Sequence, residues 1–261
     1  MLEVDDLTVE FGKTKILDQI SFKLNVGEFT SIVGPNASGK STLIKAINDE
    51  LKLSGGKIIL NGRDINEYRK NPQSISKWRA VLPQKSSLNF NFKVLDVVKM
   101  GRNPYYNIKS EKENESIAIK YLEELELSNL KERSFLYLSG GEQQRVQFAR
   151  ILAQMHESFI SETPSVIFLD EPTSNLDIKH QIQILKILKK LKGKNLSVVI
   201  VIHDLEQAFN FSDKIILLNN GRLISCGNPK TVLSNKLIKN TFGIDNEWLS
   251  DGDKRFLKIN Y

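Results

Sequence analysis

Gly34-Pro35-Asn36-Ala37-Ser38-Gly39-Lys40-Ser41-Thr42 follows directly on the apolar run Phe29-Thr30-Ser31-Ile32-Val33 and leads straight into Leu43-Ile44-Lys45-Ala46-Ile47, which has helical spacing. A tight glycine-containing loop between a strand and a helix turns several backbone N–H groups toward one point, where an anion is stabilised. In that setting Lys40 can reach outer phosphates and the Ser41 hydroxyl can ligate Mg²⁺. Residues 34–42 are therefore a candidate nucleoside triphosphate site.

The 261 residues, 40% hydrophobic and 26% charged, are enough to bury one full core. Apolar runs such as Val198-Val199-Ile200-Val201-Ile202 fall far short of the roughly 20 residues that a membrane-spanning helix needs. The start, Met1-Leu2-Glu3-Val4-Asp5-Asp6, is acidic and lacks a basic segment followed by an apolar one, so the expected compartment is the cytoplasm. The single cysteine, Cys226, has no internal disulfide partner and reads as a small buried or half-buried thiol. The net charge of +6 does not point to nucleic acid, because the lysines are dispersed. Their densest group, Lys186, Lys189, Lys190, Lys192 and Lys194, sits opposite Ile182, Leu185, Leu188 and Leu191 and reads as the wet face of a helix.

Short apolar runs alternate with helical patterns, which argues for an α/β fold with βαβ units around a largely parallel sheet. Residues 28–33, 166–169 and 197–202 are nearly continuous apolar or β-branched runs, as expected of central strands covered on both faces. Leu7-Thr8-Val9, Ser21-Phe22-Lys23-Leu24 and Lys57-Ile58-Ile59-Leu60 alternate instead and read as an antiparallel layer with one wet face. From about Val94 to Met155 strand signals are weak, while 111–127 and 142–155 carry helical spacing, so this stretch reads as a helical insertion. Asn219-Asn220-Gly221 predicts a hairpin between 214–218 and 222–225.

Ser165-Val166-Ile167-Phe168-Leu169-Asp170-Glu171-Pro172 is an apolar strand ending in two carboxylates. Asp170 is placed to hold Mg²⁺ and Glu171 to face an attacking water, although the pair taken alone fits a surface turn equally well. His203 ends the next apolar run, on the side of the sheet where open α/β folds bind ligands, and can bridge a terminal phosphate and the water. His156 and His180 fall on helical patterns without useful acidic partners and are expected at the surface.

Leu138-Ser139-Gly140-Gly141-Glu142-Gln143-Gln144-Arg145 opens a further helix and, as local physics, offers a second anion site. This octapeptide matches the signature of the ATP-binding cassette proteins, and the resemblance runs over essentially the whole chain. It implies a RecA-like parallel-sheet core of the P-loop NTPase type with an antiparallel β subdomain (1–84 and 162–261), and a helical subdomain (85–161) that carries the signature. It implies that Phe11 stacks on adenine and that residues 34–42 (Gly34, Pro35, Asn36, Ala37, Ser38, Gly39, Lys40, Ser41, Thr42) hold the phosphates of ATP. Ser41, Gln84 and Asp170 would hold Mg²⁺, and Glu171, His203 and Gln84 would serve hydrolysis. Such cassettes pair head to tail, so Ser139, Gly140 and Gly141 would act on the nucleotide of a second copy, and Asp177, the last residue of Ser174-Asn175-Leu176-Asp177, would complete the nucleotide-binding set. Many family members have glycine where this chain has Ala37. If the backbone there takes a positive φ, alanine costs about 1 kcal/mol.

With one motif set and no membrane span, the chain resembles a transporter motor more than a soluble cassette ATPase of ribosomes or DNA. Val97-Val98-Lys99-Met100-Gly101-Arg102-Asn103-Pro104-Tyr105 is similar to a segment of importers for ferric siderophores, haem and vitamin B12, where a permease helix docks. Residues 144–154, 176–181 and the polar segment 157–164 look most like haem-import ATP-binding proteins. The partners implied are integral-membrane permease subunits and a substrate-binding protein, with a homodimer of this chain at the cytoplasmic face of the inner membrane.

Overall fold

The computed structural model describes residues 1–70, 72–84, 90–193, 195–252 and 254–260. Lys194 of the lysine-rich face lies outside them. The central sheet has the order β10 (Arg222–Gly227), β9 (Lys214–Asn219), β3 (Phe29–Val33), β8 (Leu196–Val201), β7 (Ser165–Leu169), β6 (Arg79–Leu82). Its strands are parallel except β10, which pairs antiparallel with β9. β3, β7 and β8 are buried at every position, the reason their sequences do not alternate in polarity. Their side chains still alternate in direction: Ile167, Leu169, Val198 and Ile200 enter one core, and Val166, Phe168, Val199 and Val201 enter another. Edge strand β6 was not anticipated, being four residues long with a polar start.

The second core is closed by the antiparallel sheet β2 (Thr14–Leu24), β1 (Leu2–Phe11), β4 (Gly55–Leu60), β5 (Arg63–Asp64), in that order. Leu2, Val4, Leu7 and Val9 point inward from β1 and meet Leu43, Ile44 and Ile47 of α1 (Lys40–Ile47) in this core. The layer is antiparallel with one wet face, as the alternating pattern predicts, and its dry face sits against the helix that follows the 34–39 loop.

After α2 (Pro72–Ile75) and β6 come α3 (Val94–Met100), α4 (Glu111–Glu124) and α5 (Gly140–Gln154), which pack on one another in the first core. α4 starts with a reciprocal cap between Ser110 and Glu113. Arg102, in the segment likened to a docking site, is itself 2% exposed. Its guanidinium donates to Glu157 Oε1 at 2.6 Å and Oε2 at 2.7 Å, to Ala153 O at 2.6 Å and to Asn114 Oδ1 at 3.0 Å. The exposed residues of that segment are Asn103, Tyr106, Asn107 and Ile108. His156 and His180 depart from expectation. His156 is half-buried with Nδ1 2.8 Å from the Tyr121 hydroxyl, and His180 Nδ1 lies 2.8 Å from Asp177 Oδ1. The overlooked acid is the residue that caps the helix carrying His180.

That helix, α6 (Ile178–Leu191), buries Leu185 and Leu188 and leaves Lys186, Lys189 and Lys190 exposed. α7 (Leu205–Phe211) follows β8, and the β9–β10 turn has Asn220 and Gly221 at φ 47° and 73°, as the Asn-Gly signal predicts. Cys226 is half-buried on β10, and burial pushes its thiol up. The chain ends in α8 (Pro229–Val232), α9 (Asn235–Phe242) and a separate hairpin, β11 (Asp245–Asp251) with β12 (Lys254–Asn260), which the sequence did not announce. Among the described residues no helix is long and apolar enough to cross a membrane.

Candidate active site

Val33 ends β3 in the middle of the sheet, and the chain must turn at once into α1. Gly34 permits this because a Cβ there would lie 2.2 Å from Leu218 O. Gly39 takes φ 101°, and a Cβ would meet Leu17 Cδ2 at 2.6 Å. Ala37 adopts φ 60°, so the conditional cost named above applies. Ala37→Gly is expected to stabilise the chain by about 0.5 kcal/mol, the strain relieved less the extra freedom of glycine in the unfolded chain. Thermal unfolding should then shift upward by about 2 °C, and an unchanged or lower midpoint would refute the strain.

Lys40 is buried, with Nζ donating to Gly34 O at 2.9 Å and Pro35 O at 2.8 Å. The ammonium is thus folded over its own loop, where burial pushes its pKa down against the pull of Glu171 and Asp170. Ser41 Oγ donates to Asp170 Oδ1 at 3.1 Å, joining the start of α1 to the end of β7. Asp170 is 1% exposed, and burial pushes its carboxyl up against the opposing Ser41 hydrogen bond. A buried carboxylate beside a hydroxyl and the nearby Gln84 amide is an all-oxygen donor set, which fits Mg²⁺.

Glu171, at φ 52°, turns its carboxylate toward two side chains from distant parts of the sequence. Gln84 Nε2 donates to Oε2 at 2.9 Å, and His203 Nε2 meets Oε1 at 2.6 Å. These residues, with Ile16 and residues 36–42, line a concavity of about 740 Å³. The structure therefore brings the loop, Gln84, Glu171 and His203 together, with Asp170 behind Ser41. Ile16 was missed: nothing in its sequence setting marks it, and it arrives because β2 packs against Gly39 and Gly221. Phe11 stands outside the lining, 55% exposed where β1 turns into β2.

Ser139, Gly140, Gly141 and Asp177 are also outside this concavity. Ser139 caps α5, its Oγ accepting from Glu142 N at 3.3 Å while its own N donates to Glu142 Oε2 at 2.8 Å. A Cβ on Gly141 would stand 3.0 Å from Asn175 O, so the glycine lets the 174–177 turn approach. A Cβ on Gly140 would meet nothing within 4 Å. Asp177 caps α6, accepting from His180 N at 2.9 Å.

The sequence model of the ABC transporter family matches residues 17–174, from β2 to just beyond the two acids. The chain belongs to the ABC transporter family. Among its relatives are hemin import ATP-binding proteins HmuV. That of Pseudoalteromonas translucida is 38% identical over 94% of this chain and 93% of its own length. That of Rhizobium meliloti is 38% identical over 93% and 91%. Among solved structures, a metal-chelate type ABC transporter in an inward-facing conformation superposes with TM-score 0.78 at 27% identity, covering 99% of this chain and 96% of that one. The ATP-binding cassette MJ0796, solved as a post-hydrolysis dimer with ADP and Pi, gives TM-score 0.77 at 28% identity over 88% and 99%. This ABC ATPase binds ATP and couples its hydrolysis to transport.

Proposed function

We propose that the chain is the motor subunit of a bacterial importer, driving uptake of haem through separate permease subunits at the cytoplasmic face of the inner membrane. The observation that carries the substrate is the run of hemin import relatives, 35–38% identical over 90–94% of this chain. Haem never reaches this subunit, so no side chain here reads it. Docking of a permease helix is supported by a groove of about 560 Å³ between the α2 region and the insertion, lined by Lys77, Met100, Pro104, Asn107, Ile108 and Gln154 among others. Asn103, Asn107 and Ile108 thus form a wall of the groove, while Arg102 holds that wall from inside.

In the reaction, Lys40 exchanges the Gly34 and Pro35 carbonyls for phosphate oxygens, and the N–H groups of 36–42 orient them. Ser41, Gln84 and Asp170 would hold Mg²⁺, which when bound neutralises charge on the β- and γ-phosphates. Glu171 takes a proton from water, and its grip by Gln84 and His203 ties the base to the two residues that face the nucleotide. Catalysis is chiefly positioning and charge stabilisation. We infer that the helical insertion, α3 to α5, moves as a unit against the core and passes this state to the permease.

The open surface above Gly140 supports a head-to-tail dimer, because no contact among the described residues demands a glycine there. Lys40→Ala and Gly140→Asp chains are each expected to be inactive alone. Mixed in equal amounts, they form one intact site per mixed dimer and should recover up to roughly a quarter of parent turnover by random pairing. No recovery on mixing would refute the arrangement.

The substrate is tested by reconstituting the chain in lipid with its co-purifying permease and a haem-loaded binding protein. Stimulated hydrolysis that is lost in Glu171→Gln supports haem import. A response to a ferric siderophore or cobalamin but not to haem moves the substrate, and release of the chain from membranes by nuclease overturns the motor reading.

A further inference from the structure

α7 begins two residues after His203, and its outer face is gripped by the C-terminal hairpin. The Asn210 carboxamide accepts the Arg255 N–H on Oδ1 at 2.9 Å and donates from Nδ2 to Arg255 O at 2.8 Å, joining α7 to β12 as a strand would be joined. One turn earlier, Glu206 Oε1 accepts the Leu257 N–H at 2.7 Å. Between these bonds the Phe209 ring lies 4.6 Å from that of Trp248, whose Nε1 donates to Leu233 O at 2.7 Å. At the other end Asp204, next to His203, accepts the Gln207 N–H at 3.0 Å and so fastens the histidine's backbone to the first turn.

A helix of seven residues has little rigidity of its own. Leu205 and Ala208 bury its inner side in the core, and Ser212 Oγ lies 2.6 Å from Ser31 Oγ just past its end. Gln207 Nε2 also donates to Gln181 Oε1 at 2.9 Å and Lys189 Nζ to Asn210 O at 3.1 Å, which tie α7 to α6, and the hairpin adds the restraint on the outer face. Glu206 and Asn210, four residues apart, lie on one face and are held at both ends of it by the same strand. A two-stranded hairpin is marginal on its own, so its order depends in turn on α7 and α9.

We propose that the β11–β12 hairpin is a positioning element for hydrolysis, setting through Glu206 and Asn210 the rotation of α7 and hence the approach of His203 to Glu171. This rests on the role given to His203 above. Misplacement of a participating group by about 1 Å can cost up to roughly 10²-fold in rate, so a contact outside the nucleotide concavity can govern turnover.

The test uses the purified full-length chain. Asn210→Ala is expected to lower kcat about tenfold with KM within about twofold, because the phosphates are held mainly by the 34–42 loop and Lys40 rather than by α7. Among the three histidines, the imidazole NMR resonance of His203 should move while that of His156 stays. Glu206→Ala should behave like Asn210→Ala, whereas Glu206→Gln, which keeps an acceptor for Leu257 N–H, should retain parent kcat. If either alanine variant does not fold, the other carries the same test. In a His203→Ala background, adding Asn210→Ala should lower single-turnover hydrolysis no further. The proposal is overturned by an unchanged kcat, by KM rising in step with the loss, or by a loss that persists in full without His203. Parent-like turnover in His203→Ala alone would overturn the role of His203 itself, which separates the two failures.

Discussion

Glu171→Gln is expected to bind ATP like the parent chain and to hydrolyse it roughly 10²–10⁴ times more slowly, a barrier increase of about 3–5 kcal/mol. The substitution preserves shape and the oxygen facing His203 but removes the basicity that draws a proton from water. Lys40, Ser41 and the loop amides are untouched, so affinity should hold. The measurement is phosphate release alongside binding of labelled ATP. Parent-like release would assign the base elsewhere, and a parallel loss of affinity would mean that the grip of Gln84 and His203 on this carboxylate organises the phosphate site itself.

Arg102→Ala should destabilise the fold by about 3 kcal/mol, the low end of the range for removing one member of a buried ion pair, because Arg102 is buried but Glu157 keeps 26% of its side chain exposed. Asn114, itself 3% exposed, would lose a hydrogen bond, as would Ala153 O, and Glu157 would lose its counter-ion. The ring of Tyr105, 4.3 Å from the guanidinium carbon, would lose its cover. Denaturant unfolding reads the change directly. The pH dependence gives a second check. Burial pushes the Glu157 carboxyl up, but the hydrogen bonds and charge of Arg102 outweigh it and hold it below the usual carboxylate range. A depressed folded-state pKa contributes stability that is present above the ordinary carboxylate pKa and fades as pH falls through the depressed one. The gap between parent and Arg102→Ala should therefore narrow in acid, and a pH-independent gap would mean that packing rather than charge holds this corner.

The same corner shows where reading the sequence stopped. Gly101-Arg102-Asn103-Pro104-Tyr105 resembles a docking segment, and the polar stretch from Glu157 resembles haem-import ATP-binding proteins. They are two halves of one ion pair, separated by 55 residues, and periodicity cannot join residues that meet through the packing of α3 on α5. His180 illustrates a nearer miss, since its acidic partner Asp177 is the cap of its own helix. Ala37 was legible only conditionally: its identity was plain, its φ was not.

By itself the sequence determined the phosphate loop, the buried parallel strands, the antiparallel layer and the capped signature helix. Each of these is set by local chemistry: glycines where backbones crowd, unbroken apolar runs where both faces are covered, serine followed three residues later by glutamate at a helix start. Tertiary structure alone decided that Gln84 and His203 share the carboxylate of Glu171, that Ile16 borders the nucleotide concavity, that Arg102 turns inward, and that the C-terminal hairpin holds α7. These depend on which surfaces meet when the two cores close, a property of packing over long separations that no short stretch of residues contains.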